Sequence, residues 1–249
     1  MTAALLVDRV SWRIGAVPIV DDVTLHVAPD EFLALIGPNG AGKTSLFNLV
    51  SGLHRPSAGR ITLAARDVTG LAPHRRARLG LGRTFQSSSV FGSLTVAENV
   101  ALAVQARRGG SLRPWRRGSD RAVAEAAEKV LVEVGLADRA GAPAGTLAHG
   151  EKRKLEIALL LAGEPAVLLL DEPMAGVSAE DVPALVEVIR GLTAGTGRSV
   201  LMVEHHMDVV LDLADRVAVL HHGALLACDT PAAVMADRLV QEAYLGEEL

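Results

Sequence analysis

"EFLALIGPNGAGKTSLFNLVSGL", Glu31 to Leu53, is the stretch on which the reading of the whole chain turns. Its first part, Phe32 to Ile36, is a continuous apolar run, as expected of a strand buried on both faces of a parallel sheet. The run leads directly into Gly37-Pro38-Asn39-Gly40-Ala41-Gly42-Lys43-Thr44, which matches G-x-x-x-x-G-K-[ST]. "LFNLVSGL" after it reads as a helix. Glycines let such a loop wrap phosphates with its backbone N–H groups. Lys43 would reach the β- and γ-phosphates, while Thr44, followed by Ser45, would hold Mg²⁺. The bare pattern arises by chance in about one chain of this length in a hundred. The strand before it and the helix after it are what separate a phosphate loop from an ordinary glycine turn.

Working outward, the same alternation continues. Residues 4 to 27 read as strands with a turn at Gly15 to Pro18, and "VTLHV" places Val23, Leu25 and Val27 on one face. Gly59 to Gly70 returns to strand. "AVLLLDEP" (Ala166 to Pro173) and "RSVLMVEHH" (Arg198 to His206) are further buried strands, and Arg216 to Ala227 is a hairpin-like pair. The stretch from Ser87 to Gly145 is more helical. Val123, Ala126, Ala127, Val130 and Val134 trace one helix face there, and Gly135 is a stop. "TPAAVMA" has Thr230 as cap and Pro231 at the first helical position. Short strands alternating with helices predict an α/β sheet covered on both faces. The segment Arg107 to Arg121 is the expected mobile loop.

Composition sets the frame. At 249 residues the chain suits one large domain or a core plus a subdomain. Apolar residues make up 49% and aromatics only 3%, so the core is to be built from Leu, Val, Ile and Ala. A net charge of −4 argues against general nucleic-acid binding. The single cysteine, Cys228, excludes an internal disulfide and fits a reducing compartment, where it reads as a small packed residue. No apolar run reaches membrane-spanning length, and "MTAALLVDRV" reaches Asp8 too soon for a signal peptide. These features predict a soluble, cytoplasmic protein.

Two more pieces carry chemistry. Leu168-Leu169-Leu170-Asp171-Glu172 is a buried strand ending in carboxylates. Asp171 is suited to hold the metal from the far side, and Glu172 to polarise the attacking water. "TLAHGEKRKLEIALLLAG", Thr146 to Gly163, reads as a helix with a glycine at its mouth. Free N–H groups and about half a positive charge make such a start attractive to anions, and Gly150 would let one approach closely.

With these motifs in this order, the chain resembles the nucleotide-binding subunit of an ATP-binding cassette (ABC) transporter over essentially its full length. Arg83-Thr84-Phe85-Gln86 resembles the loop whose glutamine, Gln86, approaches Mg²⁺ and the attacking water. Leu147-Ala148-His149-Gly150-Glu151 resembles the signature that names the family. Val203-Glu204-His205 resembles the switch strand, with His205 on the γ-phosphate. The resemblance implies a RecA-like P-loop NTPase core with a mixed sheet, an N-terminal antiparallel β subdomain and an inserted α-helical subdomain. As one nucleotide-binding domain over 1–249, these parts divide at 1–86, 87–160 and 161–249. It also implies ATP and Mg²⁺ as ligands, and hydrolysis of ATP by Glu172, His205 and Gln86, with Thr44, Gln86 and Asp171 around the metal. Two chains would pack head to tail, so that Leu147, Ala148, His149 and Gly150 of one close on the triphosphate held by the other.

Three positions depart from the family pattern. Ala148 stands where the signature has serine, removing one hydroxyl donor; N–H groups and the helix dipole are expected to suffice. Ser178 stands where many relatives have aspartate, and it suits a helix cap with Asp181 three residues on. Ile14 stands where an aromatic usually stacks on adenine. Trp12, two residues earlier, would share its face, and either could cover the base.

"GLGRTFQ", "FGSLTVAENV", the basic insertion, "HGEKRKLEIA" and "EAYLGEEL" resemble the branched-chain (hydrophobic) amino-acid uptake subgroup. That implies integral-membrane permeases, a second ABC ATPase chain or a second copy of this one, and indirectly a solute-binding protein, with the chain peripheral on the cytoplasmic face of the inner membrane. The ATPase of lipopolysaccharide export is the alternative within the family; a soluble non-transport ABC ATPase lies outside transport. His205-His206 and His221-His222 lack the cysteines or carboxylates of a zinc site. Adjacent strand histidines also point to opposite faces, and His221-His222 reads as a turn before Gly223.

Overall fold

The five residues Phe32 to Ile36 are all buried and form the middle of a sheet, as an apolar run without alternation demands. In this computed structural model, which describes residues 3–84, 90–108 and 117–245, the elements follow in order. First come β1 (Leu5–Ile14), β2 (Val17–Val27), β3 (Phe32–Ile36), α1 (Lys43–Ser51), β4 (Ala58–Leu63), β5 (Arg66–Asp67), α2 (Pro73–Arg78) and β6 (Leu81–Arg83). Next are α3 (Val96–Arg107), α4 (Arg117–Glu133), α5 (His149–Leu161), β7 (Val167–Asp171) and α6 (Val182–Arg190). The chain continues with β8 (Ser199–Val203), α7 (Met207–Leu213), β9 (Arg216–His221), β10 (Ala224–Asp229), α8 (Pro231–Ala236) and α9 (Arg238–Leu245).

These elements sort into two compact units, one of Met1–Arg83, Ala166–Glu172 and Leu192–Leu249, the other of Thr84–Pro165 and Pro173–Gly191. The first holds both sheets. A six-stranded sheet has the order β10-β9-β3-β8-β7-β6, parallel throughout except for the antiparallel β9–β10 pair at its edge. A four-stranded antiparallel sheet has the order β2-β1-β4-β5. The fold is thus α/β with a mixed sheet and an antiparallel β sheet, as expected. Val23, Leu25 and Val27 face the core of this unit, with Leu33, Leu35, Leu46 and Leu169.

The second unit is helical. Val123, Ala127, Leu131 and Val134 form the buried face of α4 and its exit, and Gly135 follows at φ +68°. The segment expected as a loop is partly helix, because α3 runs to Arg107 and α4 begins at Arg117; residues 109–116 lie outside the described part. Arg121 pairs with Glu125 at 2.9 Å, one turn on, a spacing that supports helix over loop. The helix expected from Thr146 begins at His149, after a single 3₁₀ turn at Ala144–Thr146. Ser178 does not act as the predicted cap. Its hydroxyl donates to the Asp181 carboxylate at 2.9 Å, and α6 starts only after Asp181.

One buried cation fixes α1 from its far end. Arg76, on α2, is only 1% exposed. Its guanidinium donates to the carbonyls of Leu49 (2.7 Å) and Val50 (2.6 Å), and to those of Leu71 and Thr69 (3.0 Å each). Helices end with carbonyls that lack intrahelical partners, and Arg76 supplies donors for two of them. Gly52 closes the same turn at φ +83°, where a Cβ would meet Arg76 Nε at 2.7 Å and Leu71 O at 2.8 Å. Burial pulls the guanidinium pKa down to about 10, so it stays charged at neutral pH. Replacing it with a side chain of similar length but no donors (Arg76→Met) leaves several carbonyls unpaired. Stability measured by urea unfolding is expected to fall by about 3 kcal/mol; a loss under about 0.5 kcal/mol contradicts the capping role.

Candidate active site

The loop between β3 and α1 is shaped by sterics. Gly37 adopts φ +149° with no room for a side chain, since a Cβ would lie 2.1 Å from the Leu220 carbonyl oxygen. Gly42 adopts φ +99°, and there a Cβ would meet Ile19 O at 2.6 Å. Among the described residues no side chain caps the start of α1, and its first turn carries no acidic residue. The first amides of a buried helix thus face the loop with the positive end of the dipole behind them. Lys43 Nζ folds back to donate to the carbonyls of Gly37 (2.5 Å) and Pro38 (2.9 Å), while Asn39, Gly40 and Thr44 are exposed. A loop of amides, a lysine and a hydroxyl can hold a phosphate chain and its counter-ion.

Three strand ends bring the carboxylates and histidine to this side of the sheet. β3, β7 and β8 are parallel neighbours or next-neighbours, so their carboxyl-terminal ends lie along one edge. Asp171, at the end of β7, is 1% exposed. Its Oδ2 accepts from Arg83 Nη2 at 2.8 Å. Glu172 stands at φ +46°, a left-handed conformation that non-glycine residues adopt at a cost and that clusters at functional sites. Its N–H donates to Val203 O at 2.9 Å, and its Oε1 lies 3.0 Å from His205 Nε2. The geometry therefore brings together Lys43, Asp171, Glu172 and His205 within one unit. Gln86 lies outside the described residues.

Several supporting residues were not singled out from sequence. Glu204 is buried beside His205, and its Oε2 accepts the His205 N–H at 2.7 Å. Tyr244, half-buried on α9, lies near the Gly37 backbone, and burial pushes its phenol up to about 12, so the ring is neutral. In the sequence Arg83 stands out only as the neighbour of Thr84 and Gln86. The one sequence signal for its role was a cation on an otherwise apolar strand end.

The helical unit carries the signature stretch. Ala148 precedes α5 in extended conformation, and its N–H donates to Glu151 Oε2 at 3.1 Å. That is half a capping box; alanine has no oxygen for the other half. Glu151 is itself paired with Arg139 at 3.0 Å. Gly150 is buried, with Leu147, while Ala148 and His149 are exposed. The close approach that Gly150 permits is taken by Asp181 of the same unit, whose Cβ and carboxylate would lie 2.8–3.0 Å from a Cβ. Glycine is needed there on packing grounds alone.

The two residues expected near adenine, Trp12 and Ile14, differ in their surroundings. Trp12 stacks on His54 with centroids 4.8 Å apart and planes 13° off parallel, and packs against the core. The register shifts beside Trp12 lie in the facing strand, where β2 has the extra residue, so Trp12 and Ile14 stay two residues apart on β1. Ile14 is 59% exposed. His221 and His222 lie at the turn expected before Gly223, with ring centroids 4.0 Å apart and His222 at φ +47°. Cys228 packs against the core and accepts from Arg216 Nη2 at 3.0 Å.

The family profile described as ABC transporter matches residues 20–175, and one described as branched-chain amino acid ATP-binding cassette transporter matches 224–249. The chain is 37% identical over 249 residues to the high-affinity branched-chain amino acid transport ATP-binding protein BraF of Pseudomonas aeruginosa, covering 98% of each. It is 38% identical over 250 residues to LivG of Escherichia coli, a protein with the same description, again covering 98% of each. The lipopolysaccharide export system ATP-binding protein LptB of Acidithiobacillus ferridurans is 38% identical over 230 residues, 92% of this chain and 91% of that one. Among solved structures, an ATP-binding cassette of an ABC transporter in its ADP conformation superposes with a TM-score of 0.86. It is 26% identical, with 99% of this chain and all of that one covered. The chain therefore belongs to the ABC transporter family, in which it is a nucleotide-binding ATPase built on the α/β P-loop fold.

Proposed function

We propose that this chain energises an ABC importer for branched-chain amino acids or a related small amino acid or amide. It would act as one nucleotide-binding domain against integral-membrane permease subunits, paired with a second ATPase chain or a second copy, and fed by a solute-binding protein. The reading rests on one observation above others. A phosphate loop, a buried strand-end aspartate and a Glu172–His205 pair at 3.0 Å occupy one unit of the chain. The match at 224–249 and the names of the relatives favour amino-acid uptake over lipopolysaccharide export. Among the described residues no helix is long and apolar enough to cross a membrane, so attachment to the cytoplasmic face would be through the permeases.

In this reading, amides of Gly37 to Gly42 wrap the β- and γ-phosphates and Lys43 moves from its carbonyls onto them. Asp171 and the Thr44 hydroxyl offer hard oxygen donors on facing elements, β7 and α1, which suits a divalent cation of magnesium's kind; Gln86 completes that set. Magnesium, when bound, draws negative charge from the phosphate oxygens. Glu172 takes a proton from the attacking water as the water's oxygen bonds to the γ-phosphorus and the bond to the ADP oxygen breaks. His205 orients the Glu172 carboxylate and contacts the γ-phosphate. Signature amides of the facing chain, from Leu147 to Gly150, close over the same triphosphate.

Two measurements test these roles. Glu172→Gln keeps the shape but removes the base, so ATP binding is expected within about threefold of wild type while phosphate release falls by at least about a hundredfold. Near-normal turnover would remove Glu172 from this role. Ala148→Ser adds the family's hydroxyl. If amides and dipole suffice, turnover of the assembled transporter changes by less than about tenfold, equivalent to about 1.4 kcal/mol. A rise of two orders of magnitude would show that this site is crippled by its alanine. Solute class is read from uptake: leucine, isoleucine or valine transport by vesicles holding the complex supports the importer, and lipopolysaccharide release supports the alternative.

A further inference from the structure

Arg83 does more than neutralise a buried carboxylate. It sits at the end of β6 beside β7, in register with Leu169, two residues before Asp171. Its side chain is 8% exposed, and its two terminal nitrogens go to different elements. Nη2 donates to Asp171 Oδ2 at 2.8 Å. Nη1 donates to Asn48 Oδ1 at 2.7 Å and Ser51 Oγ at 2.8 Å, both on α1. The guanidinium carbon also lies 5.8 Å from the centroid of the Phe47 ring, again on α1. The planar fork therefore fixes the carboxylate of β7 against the helix whose first turn presents Lys43 and Thr44.

A lone buried carboxylate needs one cation for charge balance. Nothing in charge balance requires that cation to be tied to α1 by two further hydrogen bonds and a ring face. A rigid bidentate group is the side chain that can set both distance and angle between two elements, as a flexible ammonium cannot. We propose that Arg83 is a positioning residue. It holds the Asp171 carboxylate at a fixed offset from the Thr44 hydroxyl, and so sets how much a divalent cation adds to nucleotide affinity. The inference rests on the proposed role of Asp171 at the metal. Partners of metal-binding carboxylates typically govern metal affinity by one to two orders of magnitude.

The test uses the purified full-length chain and a non-hydrolysable ATP analogue, titrated once with EDTA and once with millimolar Mg²⁺. The quantity read is the ratio of the two dissociation constants. Arg83→Lys keeps the charge and loses the fork, so the ratio is expected to shrink by about tenfold, with the EDTA value within about threefold of wild type. Asn48→Ala leaves the ion pair and removes one tether to α1; a decrease of about threefold is expected, and this variant carries the test should Arg83→Lys fold poorly. A ratio unchanged in both variants would make the pair merely structural and overturn the proposal. So would a ratio that rises, which would mean that Arg83 competes with the cation for Asp171. Asp171→Asn separates the underlying reading. If the wild-type ratio survives that change, Asp171 does not face the metal and the role given to Arg83 falls with it.

Discussion

A buried helix that begins on glycine, with no side chain to cap it, must be held from elsewhere. That constraint governs α1. Its opening amides are left pointing at the loop, which is what a phosphate requires, and the helix gains no stability from its own start. Its other end is closed by Arg76 through the Leu49 and Val50 carbonyls, and its side by Arg83 through Asn48 and Ser51. Two buried arginines thus hold in place a helix whose start has no side-chain cap among the described residues. The conformations of Gly37 and Gly42 follow from the same demand, since the chain must turn from a strand into a helix where the Leu220 and Ile19 carbonyls press against it.

Of the buried charges of the first unit, Arg76 closes the far end of α1 and Glu31 pairs with Arg216 at 2.9 Å. The others, Lys43, Arg83, Asp171 and Glu204, are inside or nearly so, and each has a polar partner. Burying an unpartnered charge costs several kcal/mol, roughly the net stability of a small domain. Their concentration around one loop and two strand ends therefore signals a site before any ligand is considered. The left-handed backbone at Glu172 belongs to the same pattern: local strain accepted where the side chain has to face His205.

What could be read from the sequence was what depends on neighbours in the chain. The apolar run at Phe32–Ile36, the glycine spacing of Gly37 to Gly42 and the strand-end pair Asp171-Glu172 are local patterns, and each predicts its element directly. What could not be read depends on residues far apart. Asn48 and Asp171 meet only through Arg83, and Gly150 needs to be glycine because Asp181 lies against it. The turn before Gly223 was also legible, because glycine follows His221-His222 at the end of an apolar strand, and His222 stands there at φ +47°. The basic stretch after Arg107 read as loop because arginine and glycine are dense there, yet Arg117 already opens a helix.

Tyr244 carries the one phenol in the polypeptide, and it lies near the Gly37 backbone of the phosphate loop. A lone tyrosine gives a single ring spin system in a magnetic-resonance spectrum, with no second residue of its kind to confuse it. Helix α9 thus furnishes a native spectroscopic label near Gly37, without any foreign dye.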